Sequence, residues 1–320
     1  MSGRRDGDLP TPLPHPAPRP SADRVSTDRL FTGIGLRLFA ILCLASMAAL
    51  IKLAETGGAT LAEIMFFRQL AAIPIVIAFV ALGDGLASLK TTRFKSHAIR
   101  TGVGLVGMIA NFGAILLLPL AEAQTIAFTA PIFATILGAL WLKEATGWHR
   151  WGAVIAGFVG VVIVAQPGSG HFPLVGALVG LFAAFMVASV SILLRQLTRS
   201  ESAGTTVFYF SLLSVPLIAP FYAVDAQAHG ASVWALLIGI GVVGGIGQIA
   251  LTAALRFAPV STVVPMDYSG LVWATLNGWL LFGVLPGEWT WVGAPIIIAS
   301  GLYIVWREHR LRKASVAIDA

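Results

Sequence analysis

GLVGMIANFGAILLLPL (residues 104–120) is matched, 140 positions on and without a gap, by GGIGQIALTAALRFAPV (244–260). The register holds from about 103 to 144. Identical pairs include Gly104/Gly244, Gly107/Gly247, Ala110/Ala250, Ala114/Ala254, Pro119/Pro259, Ala134/Ala274, Thr135/Thr275 and Gly138/Gly278. One added residue moves the offset to 141, where Trp148/Trp289, Gly152/Gly293, Ala153/Ala294, Gly160/Gly301 and Val164/Val305 agree. A weaker match at 143 pairs Leu38/Leu181, Phe39/Phe182, Ala45/Ala188, Ser46/Ser189 and the basic Lys52/Arg195. The chain is one unit written twice.

The unit is apolar. The 320 residues are 57% hydrophobic and 11% charged, with mean hydropathy +0.85. Soluble domains carry about 25% charged residues. The charges sit in short clusters between long apolar runs near 33–54, 62–82, 98–118, 121–142, 150–166, 173–194, 204–223, 232–254, 260–284 and 289–306. A run of roughly 20 residues crosses the hydrocarbon as a helix. Period-two alternation is missing, so barrel strands do not fit. The expected fold is an all-α polytopic membrane protein of ten transmembrane helices. Five helices per copy is an odd number, so the second copy must enter the membrane upside down. Two inverted five-helix repeats with a site at their midplane interface are the architecture of secondary transporters.

Lys and Arg set the expected orientation. With the N-terminus in the cytoplasm, nineteen of the twenty-one basic residues fall on the cytoplasmic side, Arg37 and Arg100 among them. Lys52 and Arg68 are the exceptions. The net charge of +6 is therefore read as an inside marker and not as a nucleic-acid footprint. Residues 1–30, rich in Pro, Arg, Ser and Asp, read as a disordered cytoplasmic tail, and 307–320 as a second one. Arg4-Arg5 lacks a nearby apolar run and a cleavage site, so a twin-arginine signal does not fit. The single Cys43 excludes a disulfide framework and a thiolate metal site.

GVGLVG (102–107) and GIGVVG (239–244) satisfy G-x-G-x-x-G, but neither follows a strand or opens a helix, as a dinucleotide site requires. They lie inside spans, where small residues let helices approach closely. Asp267 stands about seven residues into the ninth run. A carboxylate at the centre of a span costs about 3 kcal/mol on insertion scales. It is read as facing the bundle interior, either as a neutral structural group or as a substrate or proton site. Tyr268, Trp273 and Trp279 offer aromatic surface for a planar or cationic solute, or simply pack. In EIMFFRQL (63–70), Arg68 either snorkels outward or lines a cavity, pairing with an anionic group or with Asp267. Asn111 and Gln248 are mid-span candidates for substrate hydrogen bonds. Glu122 reads as a helix-start acid. The six scattered histidines offer no metal spacing, so no metal and no cofactor is expected, and no catalytic constellation is visible.

The segments EIMFFRQ, RWGAVIAGFVGVVIVAQP (150–167), DYSGLVWATLNGWLLFG (267–283) and WVGAPIIIASGLYIVWRE (291–308) resemble the drug/metabolite transporter superfamily, EamA-like family. The resemblance spans about 30–306, with repeats at 31–167 and 172–306. It looks most like the branch with S-adenosylmethionine and riboflavin carriers. Relatives carry a Lys/Glu after the fourth run, matched by Lys143-Glu144. Where they often have a Glu at the end of the ninth run this chain has Val284, and Met47-Ala48 replaces a frequent polar residue in the first.

The expected function is a secondary transporter of the bacterial inner membrane, both termini cytoplasmic, moving a small polar or amphipathic metabolite by alternating access. Asp267, Arg68, Tyr268, Trp273, Asn111 and Gln248 are the expected substrate contacts, with Asp267 the candidate proton carrier. The expected partners are a small molecule, protons and the lipid bilayer, with no nucleic acid. A drug or toxic-metabolite exporter of the same fold is the nearest alternative. A membrane-embedded enzyme would need a catalytic cluster that is not seen, and a non-transporting scaffold has little need of intramembrane charge.

Overall fold

The structure, a computed structural model, describes residues 27–318 apart from 84, 142–146, 168–172, 198–200 and 259. Lys143, Glu144, His171, Arg199 and Pro259 lie outside the described residues. Those described are helical, with no strand among them. The helices are α1 (Thr27–Thr56), α2 (Leu61–Leu82), α3 (Phe94–Leu117), α4 (Leu120–Ala127), α5 (Ala130–Leu140), α6 (Trp148–Ala165), α7 (Leu174–Leu197), α8 (Ala203–Asp225), α9 (Ala231–Phe257), α10 (Val260–Val263), α11 (Ser269–Phe282) and α12 (Glu288–Ile318). Short 3₁₀ turns cover Leu86–Leu89 and Val264–Tyr268.

Nine spans among the described residues are long and apolar enough to cross a membrane, with α4 and α5 together making one of them. The tenth expected span is divided into α10, the 3₁₀ turn and α11. The fourth run is thus not one continuous helix, nor is the ninth. The first is interrupted at Phe128-Thr129, the second by the 3₁₀ turn Val264–Tyr268. Phe128 and Tyr268, the last residue of that turn, are 140 apart, the offset that aligns the two copies. The interruptions also meet: the Phe128 and Tyr268 rings lie 4.8 Å apart, edge to face at 63°.

Two run boundaries differ from expectation. α1 begins at Thr27, and α12 continues to Ile318 through residues expected as tail. Apolarity marks where hydrocarbon ends, whereas good helix formers such as Arg, Lys, Glu and Ala carry a helix onward into water. Arg37 and Arg100, expected as cytoplasmic markers, are both buried within helices. An arginine one or two turns inside a span looks the same in the sequence as one just outside it.

α1 packs on α9 and α3 on α7; α2 packs on both α8 and α9, α6 on α12, and α4 on α11. Exchanging the halves turns α1–α9 into α7–α3, α2–α9 into α8–α3, which is also observed, and α2–α8 and α6–α12 into themselves. The contacts run through the glycines of the repeated motif. A Cβ on Gly241 would stand 2.6 Å from the Phe67 carbonyl and 2.5 Å from the Ala71 Cβ. The G-x-G-x-x-G segments are therefore helix-packing surfaces, as the sequence suggested.

Candidate functional site

Between α1, α3, α4 and α11 lies a cavity of about 210 Å³. Its walls are mostly aliphatic, with Leu44, Met47 and Ala48 from α1. Two amides enter it, Asn111 from α3 and Gln124 from α4. Among the described residues neither side chain has a protein hydrogen-bond partner. Two unpaired amides in an apolar chamber are a device for orienting a solute that has its own hydrogen-bonding groups. The interruption before α11 brings Gly270 against this site: a Cβ there would stand 3.0 Å from Gln124 Nε2.

Of the expected contacts, only Asn111 lines this cavity. Gln124, near the start of the fourth run, is not among the expected contacts. Its role comes from the short α4, which aims it inward. Gln248 is half-buried on α9 and away from the lining. Trp273 is likewise half-buried outside it, and Trp279 is exposed. Tyr268 packs on Phe128, and a Cβ on Gly301 would collide with its hydroxyl. Its ring packs at the junction of the interrupted spans, outside the cavity lining.

Asp267 is ionically paired, but not with Arg68. Arg37 Nε donates to Asp267 Oδ1 and a terminal nitrogen donates to Oδ2, each at 2.6 Å, while the other terminal nitrogen reaches the Leu251 carbonyl at 3.4 Å. The planar guanidinium matches the carboxylate fork. The ion pair fastens the middle of α1 to the 3₁₀ turn before α11. Sequence inspection missed Arg37 because it was counted with the tail charges. Arg68 is buried on α2, with a terminal nitrogen donating to Gln69 Oε1 at 2.6 Å. It lies beside the cavity wall: a Cβ on Gly244 would stand 2.5 Å from Met47 Sδ and 3.8 Å from Arg68 Nε.

Polar clasps hold both ends of the bundle. At the α1–α2 end, Thr60 and Glu63 form a capping box on α2. The buried Glu63 carboxylate also accepts from the Gln227 amide at 2.9 Å and sits 2.9 Å from His229 Nε2, both in the α8–α9 connection. At the opposite end, Ser202 caps α8. There the Thr205 hydroxyl donates to the Ser88 carbonyl (2.7 Å), Tyr209 to the Leu89 carbonyl (3.0 Å) and Thr91 to Glu201 (2.7 Å). Each clasp joins the start of one helix to the connection following its counterpart. Two further ties close the cavity's flank. Lys52 donates to the Ile115 and Leu118 carbonyls at the end of α3, satisfying acceptors a helix terminus leaves open. Glu122, more than a helix-start acid, accepts from the Gly287 amide (2.8 Å) and the Thr290 hydroxyl (3.2 Å) near the start of α12.

Comparison with known proteins agrees with this architecture. The profile of the EamA-like transporter family matches residues 31–166 and again 174–306. The chain is 34% identical over 245 residues to a protein named riboflavin transporter from Vibrio cholerae, covering 76% of this chain and 82% of that one. It is 30% identical over 279 residues to a pseudopaline exporter of Pseudomonas aeruginosa, covering 85% and 95%. It is 28% identical over 252 residues to an S-adenosylmethionine uptake transporter of Rickettsia bellii, covering 78% and 84%. A solved crystal structure shares the fold at a TM-score of 0.57 and 20% identity, covering 87% of this chain and 96% of that one.

Proposed function

The chain belongs to the EamA-like transporter family, and from that premise we propose that it carries a small polar or amphipathic metabolite, an amino-acid derivative or vitamin-like solute, by alternating access. The observation that carries the proposal is the chamber with two unpaired amides, Asn111 and Gln124, set where two interrupted spans meet. Interrupted helices in corresponding positions of two halves point to a transporter's binding site. The two halves would be inverted repeats that rock about this centre, with both termini cytoplasmic in the inner membrane and the apolar helix faces against lipid.

At about 210 Å³ the chamber is smaller than the roughly 300–1,000 Å³ of drug-sized sites. A solute the size of a flavin enters only if the walls move apart. The Arg37–Asp267 pair then acts as a clasp between α1 and the turn before α11, made in one state and broken in another. Proton coupling, if Asp267 carries it, requires that this pair open so that the carboxylate can be protonated. Export is the second reading of direction, favoured by the likeness to a protein named an exporter.

The test is solute flux with purified full chain in liposomes, using riboflavin, S-adenosylmethionine and a cell metabolite extract as separate loads. Wild-type flux that falls in Asn111→Ala and Gln124→Ala supports the proposal. No flux of any load in either direction, with correctly folded protein in the vesicles, overturns it.

A further inference from the structure

Beyond Met47, away from the chamber, stand two arginines without a counter-charge among the described residues. Arg68 is 9% exposed and Arg100 8%. Among the described residues, the buried donors Arg68 Nε, Arg100 Nε and Nη1 and the neighbouring amide nitrogen Gln69 Nε2 have no partner. The groups are joined into one cluster. Gln69 Oε1 takes bonds from Arg68 and, at 3.3 Å, from the Ser211 hydroxyl on α8. Next to Ser211, the Phe210 ring lies under the Arg100 guanidinium at 3.9 Å. The buried or half-buried carboxylates described are engaged elsewhere: Asp267 with Arg37, Glu63 with His229, Glu201 with Thr91 and, at 3.9 Å, His97, and Glu122 with Gly287 and Thr290, while Glu55, Asp225 and Glu288 are exposed. Phe210 supplies a cation–π contact, which offsets only part of the cost of burying a charge.

Two cations inside a span, with several N–H groups idle, make a costly arrangement unless an anion completes it. Arginine forks match planar or tetrahedral oxyanions. We infer that Arg68, Arg100 and Gln69 form an anion subsite that receives a carboxylate or phosphate of the transported solute once Met47 swings aside. The inference rests on the transporter reading and narrows it to solutes that carry an oxyanion besides the part held by Asn111 and Gln124. Met47 suits the partition, being an unbranched, flexible side chain between the chamber and Arg68.

The test is thermal unfolding of the full chain in nanodiscs of phosphatidylcholine. Sodium succinate and sodium phosphate are titrated separately against sodium chloride at matched ionic strength. At roughly tenfold the Kd, wild type is expected to gain about 3 °C with succinate or phosphate over chloride. Arg68→Gln and Arg100→Gln are expected to lose that gain and, in the absence of oxyanion, to melt no lower than wild type, since each removes an unpaired buried charge. Arg68→Lys, which keeps charge without the fork, is expected to retain part of the gain.

The inference is overturned if wild type shows no gain over chloride, or if the gain survives in both Gln variants. It is also overturned if phosphatidylglycerol nanodiscs alone reproduce the gain, which makes the anion a lipid headgroup. Flux in the same preparations keeps the two readings apart. Flux with no oxyanion response sinks the subsite alone, and an oxyanion response without flux keeps the anion site and sinks the transport reading.

Discussion

Arg37 and Asp267, 230 residues apart, face each other through two parallel bonds of 2.6 Å. Asp267 keeps a third of its side chain exposed while Arg37 keeps a tenth or less. The loss is therefore unequal. Asp267→Asn strands a buried guanidinium and should cost about 2 kcal/mol, the low side of a broken buried pair because solvent reaches the carboxylate end. Arg37→Gln leaves a carboxylate that water can hydrate and should cost less. Thermal unfolding of both singles and the double should give a coupling of about 1 kcal/mol or more. A coupling near zero would mean the pair does not hold α1 to the turn.

Filling the chamber should stop transport without unfolding the protein. Ala48 lines the cavity, and Ala48→Phe places a ring in the space a solute would take. The expected outcome is normal membrane level and melting temperature, with flux reduced about tenfold or more, as steric exclusion predicts for a site this size. Unchanged flux at normal protein level would place the solute path elsewhere.

Gly270→Ala tests the same wall more finely. Its Cβ would press on the end of the Gln124 amide, a group that can move. The amide should be displaced within the chamber, raising KM about fivefold through one lost hydrogen bond of about 1 kcal/mol. Stability should hardly change. A fall in maximal rate with KM unaltered would argue against Gln124 as a ground-state contact.

The clasp at Glu63 should matter differently. His229→Ala removes one partner of a fully buried carboxylate whose Thr60 and Gln227 amide bonds remain. The expected loss is about 1–2 kcal/mol, and the α8–α9 connection should exchange amide hydrogens faster. At the opposite end, Tyr209→Phe deletes a single bond to the Leu89 carbonyl and should loosen the α2–α3 connection alone. Hydrogen exchange that rises at both ends in either variant would refute independent clasps.

Much of the fold was legible because membrane helices need long apolar runs and because the second copy repeats the first in register. Gly104, Gly107, Gly241 and Gly244 read correctly as packing positions because their motifs lie inside spans. The site was read less well. Asn111, which lines the chamber, stood out in the sequence because an amide in mid-span is rare. Gln124 and Arg100 were hidden by their nearness to helix ends, where polar residues are ordinary. Arg37 was hidden in the same way, so Asp267 was assigned the wrong prospective partner. Tyr268 and Trp273 were read from their nearness to Asp267 in the chain, and nearness in sequence does not tell a cavity wall from a packed ring. The interruptions at Phe128 and Tyr268 were marked only by Pro131 and Pro265, and membrane helices tolerate proline often enough that it does not by itself announce a break.

Phe128 and Tyr268 occupy one position of the repeated unit, and their rings touch. In a protein made of a single unit, the same contact would join a residue to its own copy across a symmetric dimer, with both sides forced to be identical. Fusing the two units lifts that constraint. One side here has kept a plain ring while the other bears a hydroxyl beside Gly301. A gene that encodes both partners can tune the two faces of its central joint separately, which a homodimer cannot do by any substitution.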